Sequence, residues 1–137
     1  MHVQSTVSQP AKIVIDLTSP VPAFRQIADA LRVLLVEGTL TPGTRLPSVR
    51  RLAMDLGVHF NTVGEAYREI AAEGWLDLKH GRRAMVIARG SPPVSDPGRW
   101  QDLRTQLRRL VAQMRSAGVP PSRIAAELRS ITESLKP

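Results

Sequence analysis

The sequence predicts an α+β fold that is mostly α-helical. In five segments, apolar residues recur every three or four positions, the spacing that places them on one face of a helix. After residue 74, two short apolar stretches flank a glycine-bearing turn, a pattern typical of a β-hairpin. A stretch rich in proline, glycine and serine then separates the last two helical segments from the rest. We therefore expect an N-terminal domain followed by a small helical tail.

The N-terminal region predicts a short strand and one long helix. Residues 1–11 are polar and aperiodic, which indicates a flexible N-terminus. Apolar residues alternate over residues 12–17, which predicts a strand. A helix then follows over residues 23–37, and Gly38 stops it. Its buried stripe comprises Phe24, Ile27, Ala28, Leu31, Leu34 and Leu35.

Two further helices are predicted with a tight glycine turn between them. The first covers residues 48–56, with Ser48 as its N-cap and Gly57 in the left-handed position that closes it. The second begins at residue 61 or 62 and ends near residue 73. Its Thr62 and Glu65 have capping-box spacing. Helix, tight turn and helix together form the helix-turn-helix layout, whose second helix enters the DNA major groove.

A basic hairpin is predicted directly after this motif. Its strands cover residues 75–78 and 84–88, and its tip carries three cations and one histidine in residues 79–83. Such a tip lies along a phosphate backbone or enters the minor groove, whose negative potential attracts arginine. The alternative is a solvated turn. Residues 12–89 are therefore predicted to form a winged helix-turn-helix domain with a small β-sheet.

The composition favours a polyanionic partner and argues against several other classes of protein. The 137 residues carry a net charge of +7, and a basic surface attracts phosphates, although a basic protein without this role remains the alternative. The absence of cysteine excludes disulfides and thiolate metal sites. We find no apolar run long enough for a membrane span and no secretory signal, which predicts a cytoplasmic protein. His2, His59 and His80 are scattered, so we expect no metal, no cofactor and no enzymatic activity.

The outward side of the third helix offers several groups to DNA. Asn61 can bond adenine or a phosphate, and Thr62 can bond a phosphate or contact a thymine methyl group. Helix capping is the alternative role for both residues. Arg68 also lies on this side. Glu65 and Glu69 repel phosphate unless each pairs with Arg68 or accepts a hydrogen bond from a cytosine amine.

Residues before the third helix add further candidates. Arg50, at the start of the second helix, can reach guanine or a phosphate, whereas Arg51 beside it is expected to be a solvated surface charge. His59, in the turn, has a DNA contact and a surface or capping role as alternatives. Phe60 is expected to pack under the start of the helix, with contact to a thymine methyl group as its alternative role.

The C-terminal region predicts a linker at residues 90–98 and a dimerisation tail at residues 99–137. Each tail helix carries an apolar stripe but is marginally stable alone, so the stripe must be buried. Two helices from each of two copies form a four-helix interface, whereas the alternative is a tail folded back on its own domain. Trp100, at the start of the tail, is a candidate to anchor it against either domain. The predicted dimerisation residues are Leu103, Leu107, Leu110, Met114, Ile124, Leu128 and Ile131.

Several motifs together resemble one family. They are Pro22-Ala23-Phe24-Arg25-Gln26-Ile27, Pro42-Gly43-Thr44-Arg45-Leu46-Pro47-Ser48-Val49-Arg50, Leu56-Gly57-Val58, Asn61-Thr62-Val63, Ala66-Tyr67 and Glu73-Gly74. Residues 12–88 thereby resemble the N-terminal winged helix of the GntR family of bacterial transcription regulators. The two-helix tail resembles the YtrA-type subfamily, which lacks a large effector domain. The resemblance implies a homodimer that binds an inverted-repeat operator in double-stranded DNA, usually as a repressor. It implies DNA contacts at Ser48, Arg50, Asn61, Thr62, His80 and Gly81.

This sequence departs from the family pattern in the third helix and the wing. Phe60 and Gly64 stand where some members carry arginines that reach DNA, and Arg82 and Arg83 replace the frequent threonine and phenylalanine of the wing. An unidentified small-molecule effector in the dimer seam or in the cleft between the domains is compatible with the sequence. The alternative function is a winged-helix protein-interaction module without sequence-specific DNA binding. The complete set of predicted DNA contacts is Arg45, Ser48, Arg50, His59, Asn61, Thr62, Arg68, His80, Gly81, Arg82 and Arg83.

Overall fold

The computed structural model describes residues 13–79, 83–89 and 96–135. The chain divides into two compact units, residues 1–90 and residues 91–137. The elements of the first unit are α1 (Ala23–Val36), α2 (Val49–Leu56), α3 (Phe60–Ala72), β1 (Leu76–Asp77) and β2 (Met85–Val86). Those of the second unit are α4 (Pro97–Ser116) and α5 (Pro121–Ser134). The α+β, mainly helical fold is confirmed.

The core of the first unit lies between α1, α2 and α3. Helix α3 contacts both other helices and also β1, so it is the central element of the unit. Its inward side chains Val63 and Ile70 are fully buried, as is Leu31 of α1. Removing such a side chain costs about 2–5 kcal/mol, because both the apolar contact and the filled volume are lost. The helical spacing of the sequence therefore identified the buried faces, although Phe24 and Leu34 of the predicted α1 stripe are only half-buried.

The predicted strand at residues 12–17 is wrong. Residues 13–16 have no regular secondary structure, although Ile13 and Ile15 are buried as the alternation predicted. The Gln26 side chain of α1 makes the backbone hydrogen bonds that a neighbouring strand would otherwise make. Its Oε1 accepts a hydrogen bond from the Asp16 backbone N–H (2.8 Å), and its Nε2 donates to the Asp16 carbonyl (3.0 Å). A one-sided buried segment produces the same alternation as a strand, which explains the error.

The helix starts are fixed by two different N-caps. Ser48 caps α2 as predicted, since its Oγ accepts from the Arg51 backbone N–H at 3.1 Å. The cap predicted for α3 is wrong, because α3 begins at Phe60 and its N-cap is His59. The Nδ1 atom of His59 accepts from the Asn61 backbone N–H at 3.0 Å. Thr62 therefore lies inside the first turn rather than at the cap.

The wing contains a pairing segment that the sequence did not indicate. Strands β1 and β2 pair antiparallel over two residues each, shorter than predicted. Arg45 forms a β-bridge with Met85 on the other side of β2. The Leu46 backbone N–H also donates to the carbonyl of Ala84 at 2.8 Å. These contacts attach the chain leading into α2 to the β1–β2 hairpin, which we call the wing.

The tail begins earlier than predicted. Helix α4 starts at Pro97, inside the predicted linker, and the Asp96 side chain caps it by accepting from the Arg99 backbone N–H at 2.7 Å. Residues 90–95 of the predicted linker lie outside the described residues. Gly118, with a φ of 93°, follows the end of α4 in the left-handed conformation that favours glycine. Helices α4 and α5 contact each other.

Tyr67 links α3 to the chain before α2. Its hydroxyl group is buried and donates to the Pro47 carbonyl at 2.7 Å. Burial raises the pKa of Tyr67 above its ordinary value. The phenol therefore stays protonated in the folded protein at pH values where an exposed tyrosine ionises.

Replacing Tyr67 with phenylalanine should lower the free energy of unfolding by about 1–3 kcal/mol, because the Pro47 carbonyl loses its buried donor. The stability of the wild type should also decrease as the pH rises above about 10, where the unfolded tyrosine ionises and the folded one does not. The variant should lack this decrease. Urea denaturation at pH 7 and pH 10.5 measures both effects. An unchanged unfolding midpoint at pH 7 would show that the hydrogen bond contributes nothing to stability.

Candidate nucleic-acid interface

The start of α2 and the start of α3 meet at the protein surface. The guanidinium carbon of Arg50 lies 4.7 Å from the centre of the Phe60 ring. The His59 ring stacks on Phe60 with a centroid separation of 4.5 Å and an interplanar angle of 29°. We call these three residues, Arg50, Phe60 and His59, the surface stack. Because Phe60 is 37% exposed, the expectation that it packs under the helix start is wrong.

The capping bond of His59 determines which ring nitrogen can donate. Its Nδ1 accepts the hydrogen bond from the Asn61 backbone N–H, so the proton of the neutral ring is on Nε2. Nε2 is then a donor that can serve a phosphate or a base edge. His59 is therefore both the N-cap and a candidate contact, so capping and DNA contact are compatible roles for it.

The outward side of α3 carries the predicted polar residues. Asn61 and Arg68 are exposed, and Thr62 is half-buried. A Cβ atom built on Gly64 would lie 3.3 Å from Nη1 of Arg68. The Arg68 side chain thus extends back across Gly64, toward the positive end of the helix dipole. The first two turns of α3 therefore present hydrogen-bonding groups and one guanidinium group.

Glu69 on α3 is held by α1 rather than by Arg68. Its carboxylate lies 3.2 Å from Arg25 and 3.0 Å from Arg32. Arg32 also pairs with Glu73 at 2.7 Å, and this hydrogen bond raises the pKa of Arg32. These ion pairs neutralise Glu69 of α3 and Glu73, the C-cap residue that follows α3. The repulsion that Glu69 was expected to exert on phosphate is reduced accordingly.

The described wing residues lie beside the chain that leads into α2. Nε of Arg83 donates to the Leu46 carbonyl at 2.9 Å, which leaves its other N–H groups for a ligand. Arg45 is exposed next to β2, and the Ser48 Oγ accepts the capping bond but keeps a proton to donate. The predicted contacts His80, Gly81 and Arg82 lie outside the described residues.

The described candidates therefore form two adjoining groups. One surrounds the surface stack, and the other lies where the wing contacts residues 45–48. The contribution of Phe60 was missed by sequence reasoning. No periodicity links residues 50 and 60, because they belong to different helices that meet only in the folded protein.

The second unit exposes an apolar stripe along α4. Its members are separated by steps of three, four, three and four residues, which is the heptad spacing of coiled coils. Among the predicted dimerisation residues of α5, Ile124 is only 6% exposed and Ile131 is 41% exposed. Ile124 therefore has little surface left for a second molecule. The α4 stripe comprises Trp100, Leu103, Leu107, Leu110 and Met114, of which all but the half-buried Met114 are exposed.

The part of the chain that the structure describes has no cluster of three or more His, Asp or Glu side chains able to hold a metal ion. None of the helices in the described ranges combines the length and the apolar character needed to cross a membrane.

Comparison with known proteins identifies the family. The family model described as "Bacterial regulatory proteins, gntR family" matches residues 23–86. The HTH-type transcriptional repressor YtrA of Bacillus subtilis (strain 168) is 30% identical over 124 residues, which cover 90% of this chain and 95% of that protein. The structure of YtrA from Sulfolobus acidocaldarius, a GntR-family transcription factor, is 38% identical, with a TM-score of 0.55 over 73% of this chain and 97% of that one.

A second solved structure agrees in fold alone. It is a transcriptional antiterminator from Listeria monocytogenes EGD-e, with 23% identity and a TM-score of 0.63 over 90% of this chain and 92% of that one. The fold, the exposed polar start of α3 and the matching relatives are all consistent with a DNA-binding regulator of this family. The chain belongs to the GntR family and is a DNA-binding transcription regulator rather than an enzyme.

Proposed function

We propose that this regulator is a repressor that binds an inverted repeat in double-stranded DNA as a homodimer. The observation that carries the proposal is the set of donors at the start of α3, where Arg50 and His59 flank Phe60 and precede Asn61. The N-terminal end of a recognition helix is the part that meets base edges in the major groove. The Bacillus subtilis relative is named a transcriptional repressor, which supports the sign of regulation.

Each described group has a role suited to its chemistry. Arg50 donates to a guanine, and Asn61 pairs with an adenine or bonds a phosphate. The Thr62 side chain binds a phosphate. Arg68 follows one turn later on the same exposed side. Arg45, Ser48 and Arg83 contact the phosphate backbone beside the wing. His80, Gly81 and Arg82, which lie outside the described residues, are expected to contact the backbone or the minor groove.

The tail provides the surface through which a second copy of the chain binds. A single chain leaves Leu103, Leu107 and Leu110 between 41% and 48% exposed on one face of α4. Such a contiguous apolar stripe is typical of a surface that another molecule covers. A second copy of the same stripe is self-complementary and generates two-fold symmetry, which matches the symmetry of an inverted repeat. Joining two half-site contacts in one dimer also raises affinity through effective concentration.

Selection of bound duplexes from a random-sequence pool tests the proposed function. We expect enrichment of two half-sites in inverted orientation, with centres separated by one helical turn of about 34–36 Å or a multiple of it. The logarithm of the binding constant should decrease linearly with the logarithm of salt concentration. When the selected duplex overlaps a promoter, added protein should reduce transcription in vitro. Failure to enrich any sequence at about 0.15 M salt would favour the protein-interaction module instead.

A further inference from the structure

We propose that Phe60 is a positioning residue that holds Arg50 and His59 in place, so that the surface stack selects a guanine in each half-site. The inference rests on the proposed DNA-binding function and deepens it. It names both the base that is selected and a residue that determines the selection without touching that base.

The Phe60 ring contacts both donor side chains. The guanidinium carbon of Arg50 lies within the roughly 6 Å at which a cation is attracted to a ring face. The same ring also stacks on the His59 ring. An unrestrained arginine has many rotamers, and ordering it on binding reduces affinity. A side chain that is already restrained before DNA arrives loses less freedom on binding.

The next residue, Arg51, contacts a carboxylate instead of an aromatic ring, and the comparison shows how the two kinds of contact differ. Nε of Arg51 lies 3.3 Å from the Asp55 carboxylate, which engages its donors. Phe60 attracts the guanidinium group of Arg50 through its ring and has no oxygen or nitrogen acceptor. Among the described residues, no carboxylate forms an ion pair with Arg50. The N–H groups of Arg50 therefore keep their capacity for acceptors on a base.

The donor character of the surface stack indicates which base it selects. Arg50 carries only donors, and His59 offers Nε2–H because its Nδ1 is occupied by the capping bond. In the major groove, guanine presents two acceptors, O6 and N7, whereas adenine presents one acceptor beside a donor, and cytosine presents a donor. The guanidinium group of Arg50, which presents two parallel donors and no acceptor, therefore fits guanine better than any other base, while the Nε2–H of His59 serves a neighbouring acceptor.

Two variants of Phe60 separate positioning from folding. Phe60→Leu keeps an apolar side chain but removes the ring, and Phe60→Tyr keeps the ring. Binding of each is measured to the selected duplex and to duplexes in which each guanine in turn is replaced by adenine. Arg50→Ala identifies the relevant guanine as the one whose replacement no longer matters. We expect the wild type to prefer that guanine by about 10-fold or more.

Phe60→Leu should reduce this preference at least threefold, and Phe60→Tyr should keep it within twofold. In an Arg50→Ala background, Phe60→Leu should have no further effect on the preference. Thermal unfolding of each variant verifies that α3 is intact. An equal loss of affinity for both duplexes, or a preference unchanged in Phe60→Leu, would overturn the positioning role while the proposed function stands. A wild-type protein that selects no duplex would refute both.

Discussion

Replacing both Leu107 and Leu110 with aspartate should make the protein monomeric in solution and reduce its affinity for the full inverted repeat by about 100-fold or more. Each leucine is 48% exposed on α4 in the single chain, so about half of each side chain is available to a second copy, and thermal unfolding of the variant verifies that the tail is folded. Buried in a seam between two copies, four carboxylates would be desolvated next to one another, which is strongly unfavourable. Light scattering coupled to size exclusion measures the mass, and fluorescence anisotropy measures the affinity.

The opposite side of α4 provides a matched control. Thr105 and Ala112 are exposed and lie about half a turn of the helix away from the stripe. Changing both to aspartate adds the same charge to the same helix, and this variant should remain dimeric with nearly wild-type affinity. A dimer that persists in the Leu107 and Leu110 variant at about 10 μM would show that copies associate through a different surface.

Arg50→Ala should weaken binding to the selected duplex by about 10- to 100-fold, the range expected for loss of a guanine contact. Its guanidinium group is exposed and contacts Phe60 at the surface, so the free energy of unfolding should change little. Anisotropy titrations at several salt concentrations measure the affinity, and urea denaturation measures the stability.

Arg51→Ala is the matched control for this loss. It removes the same charge from the neighbouring position of α2, but Arg51 is already paired with Asp55, and its side chain is 70% exposed. The control should stay within about threefold of the wild-type affinity. If both variants weaken binding equally and both reduce the salt dependence, the arginines provide only general attraction to phosphate. The assignment of Arg50 to a base would then be wrong.

Helical periodicity predicted most of the fold, because each helix buries one face. The buried residues Ile27, Leu31 and Ile70 follow from spacing alone. Features that depend on which segments pair in space were not predictable in the same way. Residues 13–16 alternate like a strand, yet their backbone partner is the Gln26 side chain. The bridge between Arg45 and Met85 joins segments about 40 residues apart, and no local sequence pattern indicates it.

The candidate interface was predicted in its positions but not in its internal contacts. The outward placement of Asn61 and Arg68 follows from subtracting the buried face of α3. Capping by His59 was only one of several alternatives, because histidine is an uncommon N-cap and the more frequent Thr62 and Glu65 pattern is nearby. The role of the Phe60 ring was likewise not predicted, because it depends on Arg50, which the turn between α2 and α3 brings beside the ring.

Hydroxyl-radical footprinting of the selected duplex tests the central claim most directly, namely that two copies joined by their tails bind a two-fold symmetric site. We predict two protected segments related by a dyad, with both disappearing together when Leu107 and Leu110 are replaced by aspartate at the same protein concentration. A single asymmetric protected segment that survives this replacement would contradict the claim, because one copy would then be sufficient for recognition.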